Sequence, residues 1–258
     1  MKYIVQFSGG VGSWAAAKRI AQRHGTENMV LLFADTLIED PDLYRFLDEA
    51  AANIGVPITR LADGRTPWQL FRDERFLGNT RVDLCSRVLK RELLNGWVKD
   101  NCDPNDTTMV FGIDWSEEHR IARTRERLAP WLVEAPMCEA PYLLKPQMLE
   151  LLKAEGIEPP RLYGLGFPHN NCGGFCVKAG QAHFKRLLEV MPEQYAYHEA
   201  QEAEFQEFIG KPVTILKDRR GGETKPISLR EFRERLEAGQ TGQLDLFDWG
   251  GCGCALSA

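Results

Sequence analysis

Short apolar runs alternate with helix-like segments along the first half of the chain. Each run ends in turn residues, as residues 3–7 do at Ser8, Gly9 and Gly10, and this pattern predicts buried strands. The predicted strands are residues 3–7, 29–34, 56–61 and 108–111. Between them, helix formers and apolar residues at helical spacing predict helices. The predicted helices are residues 14–20, 41–54, 86–98 and 116–128.

Strands that alternate with helices are typical of βαβ units, so the sequence predicts an α/β fold with a parallel sheet between helices. Farther along, helical patterns cover residues 145–155, 179–191, 193–209 and 229–236, and residues 213–216 predict a strand before a Gly221-Gly222 turn. We predict one α/β domain over residues 1–190. Residues 191–258 are predicted to form a helical and irregular C-terminal extension that ends in Cys252-Gly253-Cys254, close to the final residue.

Composition places the chain among ordinary globular proteins. It has 258 residues, of which 43% are hydrophobic and 27% charged, which excludes disordered, collagen-like and coiled-coil rod proteins. The longest apolar run, residues 29–34, is far shorter than the roughly 18 residues of a membrane span. Because Lys2, Tyr3 and Ile4 do not begin a signal sequence, the expected location is cytoplasmic, with no membrane partner.

Charge and cysteine content narrow the chemistry further. The net charge is −5, so a nucleic-acid contact would need a local basic patch. Residues 217–220 form the centre of such a patch. A solvated face is the default interpretation, and a docking surface for a nucleic-acid substrate is the alternative. In a reducing compartment, seven cysteines indicate metal binding or catalysis more readily than they indicate disulfide bonds.

The turn after the first predicted strand has the composition of an anion-binding loop. Residues 8–13 read Ser-Gly-Gly-Val-Gly-Ser, so backbone N–H groups, a helix dipole and two hydroxyls can approach a phosphate. The loop is neither a Walker loop nor the G-x-G-x-x-G loop of dinucleotide-binding proteins. Taken alone, it is equally well a tight strand-to-helix turn capped by Ser13.

Five segments of the chain carry a resemblance to a known family. They are residues 8–13; Phe33-Ala34-Asp35-Thr36 with Glu39 and Pro41; residues 85–90; residues 112–120; and residues 160–167 followed by Cys172 and Cys176. In this order they resemble the PP-loop adenine-nucleotide α-hydrolase superfamily, chiefly its phosphoadenosine phosphosulfate (PAPS) reductase-like branch, over roughly residues 3–190. The resemblance implies a Rossmann-like (HUP-type) sheet with an adenine-nucleotide site at its carboxyl edge.

The resemblance implies roles for individual residues. The implied nucleotide contacts are Ser8, Gly9, Gly10, Val11, Gly12, Ser13, Asp35, Thr36, Gly112 and Glu117. Lys90 and Arg120 are the implied catalytic cations, which would neutralise phosphate charge. If the resemblance is set aside, the simpler interpretation of Lys90 is a solvated residue on a helix surface. The simpler interpretation of Arg120 is an ion pair with Glu117, one helical turn away.

Three positions depart from the family pattern. Gly12 stands where ATP-cleaving members usually have Asp, and Asp114 replaces an Arg. Cys172 and Cys176 are separated by three residues rather than two. The first difference concerns the way in which metal and pyrophosphate would be handled, and the second removes a cation that would face sulfate or phosphate.

Five cysteines form the candidate metal set: Cys85, Cys172, Cys176, Cys252 and Cys254. Glycines between them let the backbone wrap closely around a metal, and thiolates suit zinc or iron–sulfur centres. We expect a 4Fe–4S cluster, with structural zinc, a disulfide or unconnected thiols as alternatives. The resemblance adds that a C-terminal Cys-Gly is the redox nucleophile of some sulfonucleotide reductases, so Cys252 and Cys254 are also catalytic candidates.

The sequence therefore predicts an adenine-nucleotide-dependent enzyme with sulfur chemistry. The favoured form binds ATP, with Mg²⁺ as a candidate ion, adenylates an acceptor and transfers sulfur from an unidentified donor. One alternative reduces a sulfonucleotide, either PAPS or adenylyl sulfate. The other is a non-catalytic nucleotide- or nucleic-acid-binding module with structural zinc, which Gly12 and Asp114 favour. A homodimer is the candidate assembly.

Overall fold

A five-stranded parallel sheet lies at the centre of the fold. The computed structural model describes residues 1–79, 83–218, 224–240 and 248–250. The strands of the sheet are β1 (Lys2–Gln6), β2 (Met29–Asp35), β3 (Ile58–Ala62), β4 (Thr107–Phe111) and β5 (Leu132–Glu134). They lie in the order β3-β2-β1-β4-β5, and each pair of neighbours is parallel. The predicted α/β class and parallel sheet are confirmed.

Helices cover both faces of this sheet. The α-helices of the described residues are α1 (Val11–His24), α2 (Pro41–Ile54), α3 (Pro67–Asp73), α4 (Leu93–Asn101), α5 (His119–Leu128), α6 (Lys145–Ala154), α7 (Arg161–Gly164), α8 (Gln181–Val190), α9 (Pro192–Ile209) and α10 (Leu229–Glu237), and those that pack on the sheet include α1, α2, α4 and α6. Because strand side chains alternate, Val5 packs with α1, α2 and α6, whereas Ile4 packs with α4 on the opposite face. No helix within the described ranges is long and apolar enough to cross a membrane.

The strand order reverses beside β1. The chain passes from β1 to β2 and β3 on one side, and then crosses to β4 and β5 on the other. In open parallel sheets, ligands bind at such a reversal, outside the carboxyl ends of the strands. Gln6 and Phe111, the last residues of β1 and β4, are register partners, so the turns that follow them are adjacent. The fold therefore places the 8–13 loop at the expected binding edge.

Two predicted helices have mixed geometry at their N-terminal ends. Predicted helix 86–98 consists of a π-helical turn, Ser86–Glu92, followed by α4. Predicted helix 116–128 begins with a 3₁₀ turn, Trp115–Glu117, before α5. In addition, α1 begins at Val11, so its N-cap is Gly10 and not the predicted Ser13.

The C-terminal elements surround a second core. The predicted strand 213–216 is shifted to β6 (Leu216–Asp218), which pairs with β7 (Lys225–Ile227), whereas the predicted turn at Gly221-Gly222 lies outside the described residues. This hairpin and α10 pack with α3, α8 and α9 around buried side chains such as Trp68 and Phe205. The second core takes residues from both sides of position 190, and the division of the chain at that position stays a prediction.

Candidate functional site

A cavity of about 420 Å³ opens where the turns after β1 and β4 meet. This volume is typical of small-molecule sites. The sequence-predicted residues that line it are Ser8, Gly10, Val11, Gly12, Ser13, Lys90, Gly112, Glu117 and Arg120. Gly9, Asp35 and Thr36 are not in its lining. The fold thus brings together most of the residues predicted to contact a nucleotide.

The 8–13 loop has the geometry of an anion-binding turn. Gly9 has a φ of +76°, a left-handed conformation that glycine adopts without strain. The Ser13 hydroxyl donates to the carbonyl of Gly10 at 2.8 Å, and the Ser8 hydroxyl lies 3.4 Å from that of Ser13. The first turn of α1 has no side-chain cap and lines the cavity. The positive end of the α1 dipole therefore faces the cavity and favours an anion there.

Tyr163, in α7, supports this loop. Its hydroxyl accepts a hydrogen bond from the backbone N–H of Val11 at 3.2 Å. Burial raises the pKa of Tyr163 to about 12, so its hydroxyl keeps its proton at neutral pH. A Cβ on Gly10 would lie 3.1 Å from this hydroxyl, which leaves little room for a side chain at position 10. Tyr163 also lines the cavity.

Positive charge predominates around the cavity. Among the described residues, its lining contains five basic side chains, Lys90, Arg91, Arg120, Arg127 and Lys145, and two acidic ones, Asp114 and Glu117. Arg120 forms the ion pair with Glu117 that was the simpler interpretation of the sequence, and Arg91 pairs with Asp83 at 2.5 Å. Burial, followed by repulsion from two neighbouring arginines, lowers the pKa of Arg127. This excess of cations favours an anionic ligand.

Asp35 and Thr36, at the end of β2, contact the protein itself. Asp35 is buried, accepts a hydrogen bond from the Tyr44 hydroxyl at 3.1 Å and pairs with Arg60. The Thr36 hydroxyl donates to Glu39 at 2.8 Å. These contacts hold the turn after β2. The nucleotide contact predicted for both residues stays a prediction.

Cys172 lies against the same turn. Its sulfur is 3.7 Å from Nζ of Lys90 and 3.9 Å from the Thr36 hydroxyl. Glu39 accepts a hydrogen bond from the backbone N–H of Cys172, and one of its oxygens lies 3.7 Å from Nζ of Lys90. Cys172 has a φ of +53°, and the next two residues, both glycine, are also left-handed. This sharp turn places a thiol beside a cation of the cavity.

A smaller cavity of about 150 Å³ adjoins the first. Cys172 and Cys176 line it, together with His169 and Asn171, which also line the larger cavity. His183 is in its wall as well, 2.7 Å from a backbone carbonyl of the cysteine loop. Burial lowers the pKa of His183, which favours the neutral ring at neutral pH. A chamber that contains two thiols therefore shares a wall with the positively charged cavity.

The described residues do not complete a metal site. Among them, no group of three His, Cys, Asp or Glu side chains is arranged to hold a metal ion. Cys85 and Cys176 both pack against the second core, whereas Cys252 and Cys254 lie outside the described residues, as does the Arg219-Arg220 pair of the basic segment. The predicted cluster, its zinc alternative and the nucleic-acid patch stay predictions.

Sequence reasoning missed several residues in the cavity wall, among them Gln6, Arg127, Tyr163 and Asn170. The Asn170 amide donates to the carbonyl of Gly9 at 2.8 Å, so the cysteine loop is tied directly to the 8–13 loop. Two successive asparagines beside the cysteines were the available signal, because buried amides require partners. Nothing in the sequence marks Gln6, a polar residue at the end of a strand.

Comparisons with known proteins found a partial similarity to a solved structure. No protein-family model matches the chain, and no curated protein sequence matches it. Among solved structures, the chain is similar to the phosphoadenylyl-sulfate (PAPS) reductase from Candida auris, determined as a phosphate complex. The two are 15% identical, the match covers 64% of this chain and 78% of that chain, and the TM-score is 0.44.

Proposed function

We propose that this protein is an enzyme that binds an adenine nucleotide and carries out sulfur chemistry. The observation that carries the proposal is the cavity at the strand reversal, where the 8–13 loop and five basic side chains of the described residues converge. The loop attracts phosphate through backbone N–H groups and the α1 dipole, and the basic side chains attract it by charge. Leu32, Leu94 and Phe111 line the same cavity and supply apolar surface for a base.

The position of Cys172 supports the sulfur chemistry. Its thiol lies 3.7 Å from Nζ of Lys90, a side chain that lines the nucleotide cavity. Cysteine attacks electrophiles as the thiolate, and reactive cysteines occur beside cationic groups. Cys176 lines the adjoining chamber, so a second thiol is available on the same side of the site.

In the favoured reaction, the protein adenylates an acceptor with ATP. An acceptor oxygen attacks the α-phosphorus, the bond from that phosphorus to the bridging oxygen breaks, and pyrophosphate leaves. A sulfur nucleophile supplied by a donor then displaces AMP from the acceptor. Lys90 and Arg120 would stabilise the charge on the phosphate oxygens in both steps. The Ser8–Ser13 loop supports this form because its Ser-Gly-Gly-x-x-Ser pattern is complete.

Reduction of a sulfonucleotide is the second candidate function, and the thiol beside Lys90 favours it. A thiolate would attack the sulfur of PAPS or adenylyl sulfate and release the nucleotide, and an external thiol would then release sulfite. A non-catalytic nucleotide- or nucleic-acid-binding module is the third candidate. The partly neutralised cations of the cavity, such as Arg120 beside Glu117, favour this module over a catalyst.

We also propose a 4Fe–4S cluster, on the basis of the five candidate cysteines of the sequence. Among the described residues, the thiols of Cys172 and Cys176 line the smaller cavity, and no group of three side chains is arranged to hold a metal ion. The described residues by themselves therefore do not fit a cluster. Protein purified without oxygen should contain about four iron and four sulfide per chain if four of the five candidate cysteines, Cys85, Cys172, Cys176, Cys252 and Cys254, are the ligands of a cluster. Stoichiometric zinc without sulfide would favour the binding module instead.

Lys90→Met tests the nucleotide site, with Lys99→Met as the matched control. Lys90 lines the cavity, whereas Lys99 is exposed in α4. In isothermal titration calorimetry, we expect the wild type to bind ATP. Lys90→Met should bind ATP at least about tenfold more weakly, because the substitution removes a charge-assisted contact with phosphate. Lys99→Met should bind like the wild type. Equal affinity in all three proteins contradicts the assignment of this cavity.

Product analysis separates the three candidate functions. Pyrophosphate release from ATP that depends on an added acceptor supports adenylation. Sulfite release from PAPS or adenylyl sulfate with a thiol donor supports the reductase. Tight nucleotide binding with neither product supports the binding module.

A further inference from the structure

Unpaired polar atoms are concentrated in the wall of the nucleotide cavity. Within the described part of the chain, three buried side-chain atoms have no hydrogen-bond partner: Nε2 of Gln6, Oδ1 of Asn170 and Nη1 of Arg235. Gln6 and Asn170 both line the cavity of about 420 Å³. A buried polar group without a partner costs free energy, and folded proteins contain few of them. Two at one cavity therefore indicate a ligand that supplies the partners.

The orientation of the Asn170 amide is fixed. Its Nδ2 donates to the carbonyl of Gly9 at 2.8 Å, so the unpaired atom is the carbonyl oxygen, which can only accept. The residue is 2% exposed and is tied to the 8–13 loop, so this acceptor lies beside the expected phosphates. An ionised phosphate offers only acceptors, and it cannot satisfy Oδ1. The ligand must instead bring an O–H or N–H group to this point.

Gln6 lies on an apolar part of the wall. Its register partners on the neighbouring strands are Leu32 and Phe111, which also line the cavity, and Leu94 of α4 faces them. An amide flanked by apolar side chains suits a flat heterocycle, which buries its faces and hydrogen-bonds along its edge. A glutamine amide forms two parallel hydrogen bonds with the edge of adenine, one donated and one accepted.

We infer that Gln6 and Asn170 are the specificity residues for the nucleoside part of the ligand. Gln6 pairs with the edge of the adenine base, and Asn170 accepts a hydrogen bond from a ribose hydroxyl. In any nucleotide the ribose lies between the base and the phosphates. This order agrees with the position of the Asn170 oxygen beside the 8–13 loop and of the Gln6 amide farther along the cavity wall. The inference rests on the proposed nucleotide site and adds the groups that distinguish a nucleotide from free phosphate.

Gln6→Leu tests the base contact, with Gln22→Leu, an exposed position of α1, as the matched control. The probes are ATP, purine riboside triphosphate, which lacks the 6-amino group, and inorganic tripolyphosphate. We expect Gln6→Leu to weaken ATP binding about tenfold or more and to change tripolyphosphate binding less than about twofold. In the wild type ATP should bind more tightly than purine riboside triphosphate, and in Gln6→Leu the two should bind equally. Gln22→Leu should match the wild type.

Asn170→Ala tests the ribose contact by comparing two ligands in one variant. The wild type should bind 2′,3′-dideoxy-ATP about fivefold or more weakly than ATP, and Asn170→Ala should bind the two equally. The loss of the bond to Gly9 affects both ligands alike and cancels in this ratio. A variant that still distinguishes the two ligands contradicts the role of Asn170.

The outcomes separate the inference from the proposed function. If the wild type binds neither ATP nor tripolyphosphate, the proposed nucleotide site is wrong and the inference is wrong with it. If the wild type binds both and Gln6→Leu leaves ATP affinity unchanged, only the inference is wrong. Because the buried Nε2 of Gln6 has no hydrogen-bond partner, Gln6→Leu should also leave the melting temperature of the ligand-free protein unchanged or raise it. A clear loss of melting temperature in Gln6→Leu would overturn the ligand role, because it would show that the amide stabilises the fold.

Discussion

The backbones of Gly12 and Gly112 are in direct contact at the floor of the cavity. A Cβ on Gly112 would lie 2.7 Å from the carbonyl carbon of Gly12 and 2.7 Å from the backbone nitrogen of Ser13. A Cβ on Gly12 would lie 3.0 Å from the carbonyl oxygen of Gly112. The 8–13 loop therefore packs against the turn after β4 without intervening side chains. This contact also leaves little room for a side chain at position 12.

Gly112→Ala should displace the 8–13 loop and weaken phosphate binding. Because the new Cβ would meet backbone atoms rather than a flexible side chain, we expect a loss of about 1–3 kcal/mol in the free energy of unfolding. Tripolyphosphate affinity, measured by calorimetry, should fall about tenfold as the loop moves.

Gly96→Ala is the matched control for this prediction. Gly96 lies within α4, and a Cβ there would meet nothing within 4 Å. Alanine favours the helix by up to about 1 kcal/mol over glycine, so this variant should be slightly more stable and bind tripolyphosphate like the wild type. Equal behaviour of the two variants would show that the contact between Gly12 and Gly112 does not position the loop.

The elements that were predicted correctly have strong local signals. Residues 41–54 match α2 because Asp40 caps the helix, Pro41 begins it and Gly55 ends it in a left-handed conformation. The 8–13 loop was recognisable for a similar reason, since three glycines and two serines occur within six residues. By contrast, α3 has seven residues, too few to show a helical period, although Thr66 and Gln69 form a capping box at its start.

The parts of the site that were missed depend on contacts between distant positions. Asn170 meets Gly9 across 161 positions, and Tyr163 meets Val11 across 152. No local pattern encodes either contact, because both arise from the way in which the sheet and the cysteine loop pack together. The role of Gln6 can be inferred only when its register partners in the sheet, Leu32 and Phe111, are known.

Glu117→Gln should strengthen the binding of phosphate ligands. Glu117 forms an ion pair with Arg120, and both side chains line the cavity. The substitution removes a negative charge from the wall and leaves Arg120 available to the ligand. Glu117 is partly exposed, so the gain should be near 1 kcal/mol, or about fivefold in tripolyphosphate affinity measured without divalent ions.

Glu118→Gln controls for the change in net charge. Glu118 is exposed and is not in the lining of the cavity. Its substitution should change tripolyphosphate affinity less than twofold at about 0.15 M salt, because charges outside the cavity are screened. An equal gain in both variants would mean that the whole protein's charge, and not the pair with Arg120, controls binding.

Glu202 joins the C-terminal hairpin to α9. Its two carboxylate oxygens accept hydrogen bonds from the backbone N–H groups of Ile215, at 2.7 Å, and Leu229, at 2.6 Å. Burial raises the pKa of Glu202 to about 7, and the two N–H donors oppose that increase without cancelling it. The folded protein therefore binds a proton at Glu202 over a pH range in which the unfolded chain has released it.

This carboxyl group makes stability depend on pH in a defined direction. Because the pKa of Glu202 is higher in the folded state, its contribution is fully present below about pH 4.5 and is lost as the pH rises to about 7. The shift corresponds to at most about 3 kcal/mol in the free energy of unfolding. Urea unfolding between pH 4.5 and 7.5 should show a decrease of this sign in the wild type.

Glu202→Gln should remove that part of the pH dependence while lowering stability. Glutamine has one acceptor oxygen, and its NH₂ group would face a backbone N–H, which costs about 1–3 kcal/mol. Glu207→Gln, at an exposed position of the same helix, should keep the wild-type pH dependence. The informative quantity is the difference in unfolding free energy between the wild type and Glu202→Gln at each pH. If that difference is constant from pH 4.5 to 7.5, Glu202 does not titrate in this range, and burial does not raise its pKa as described.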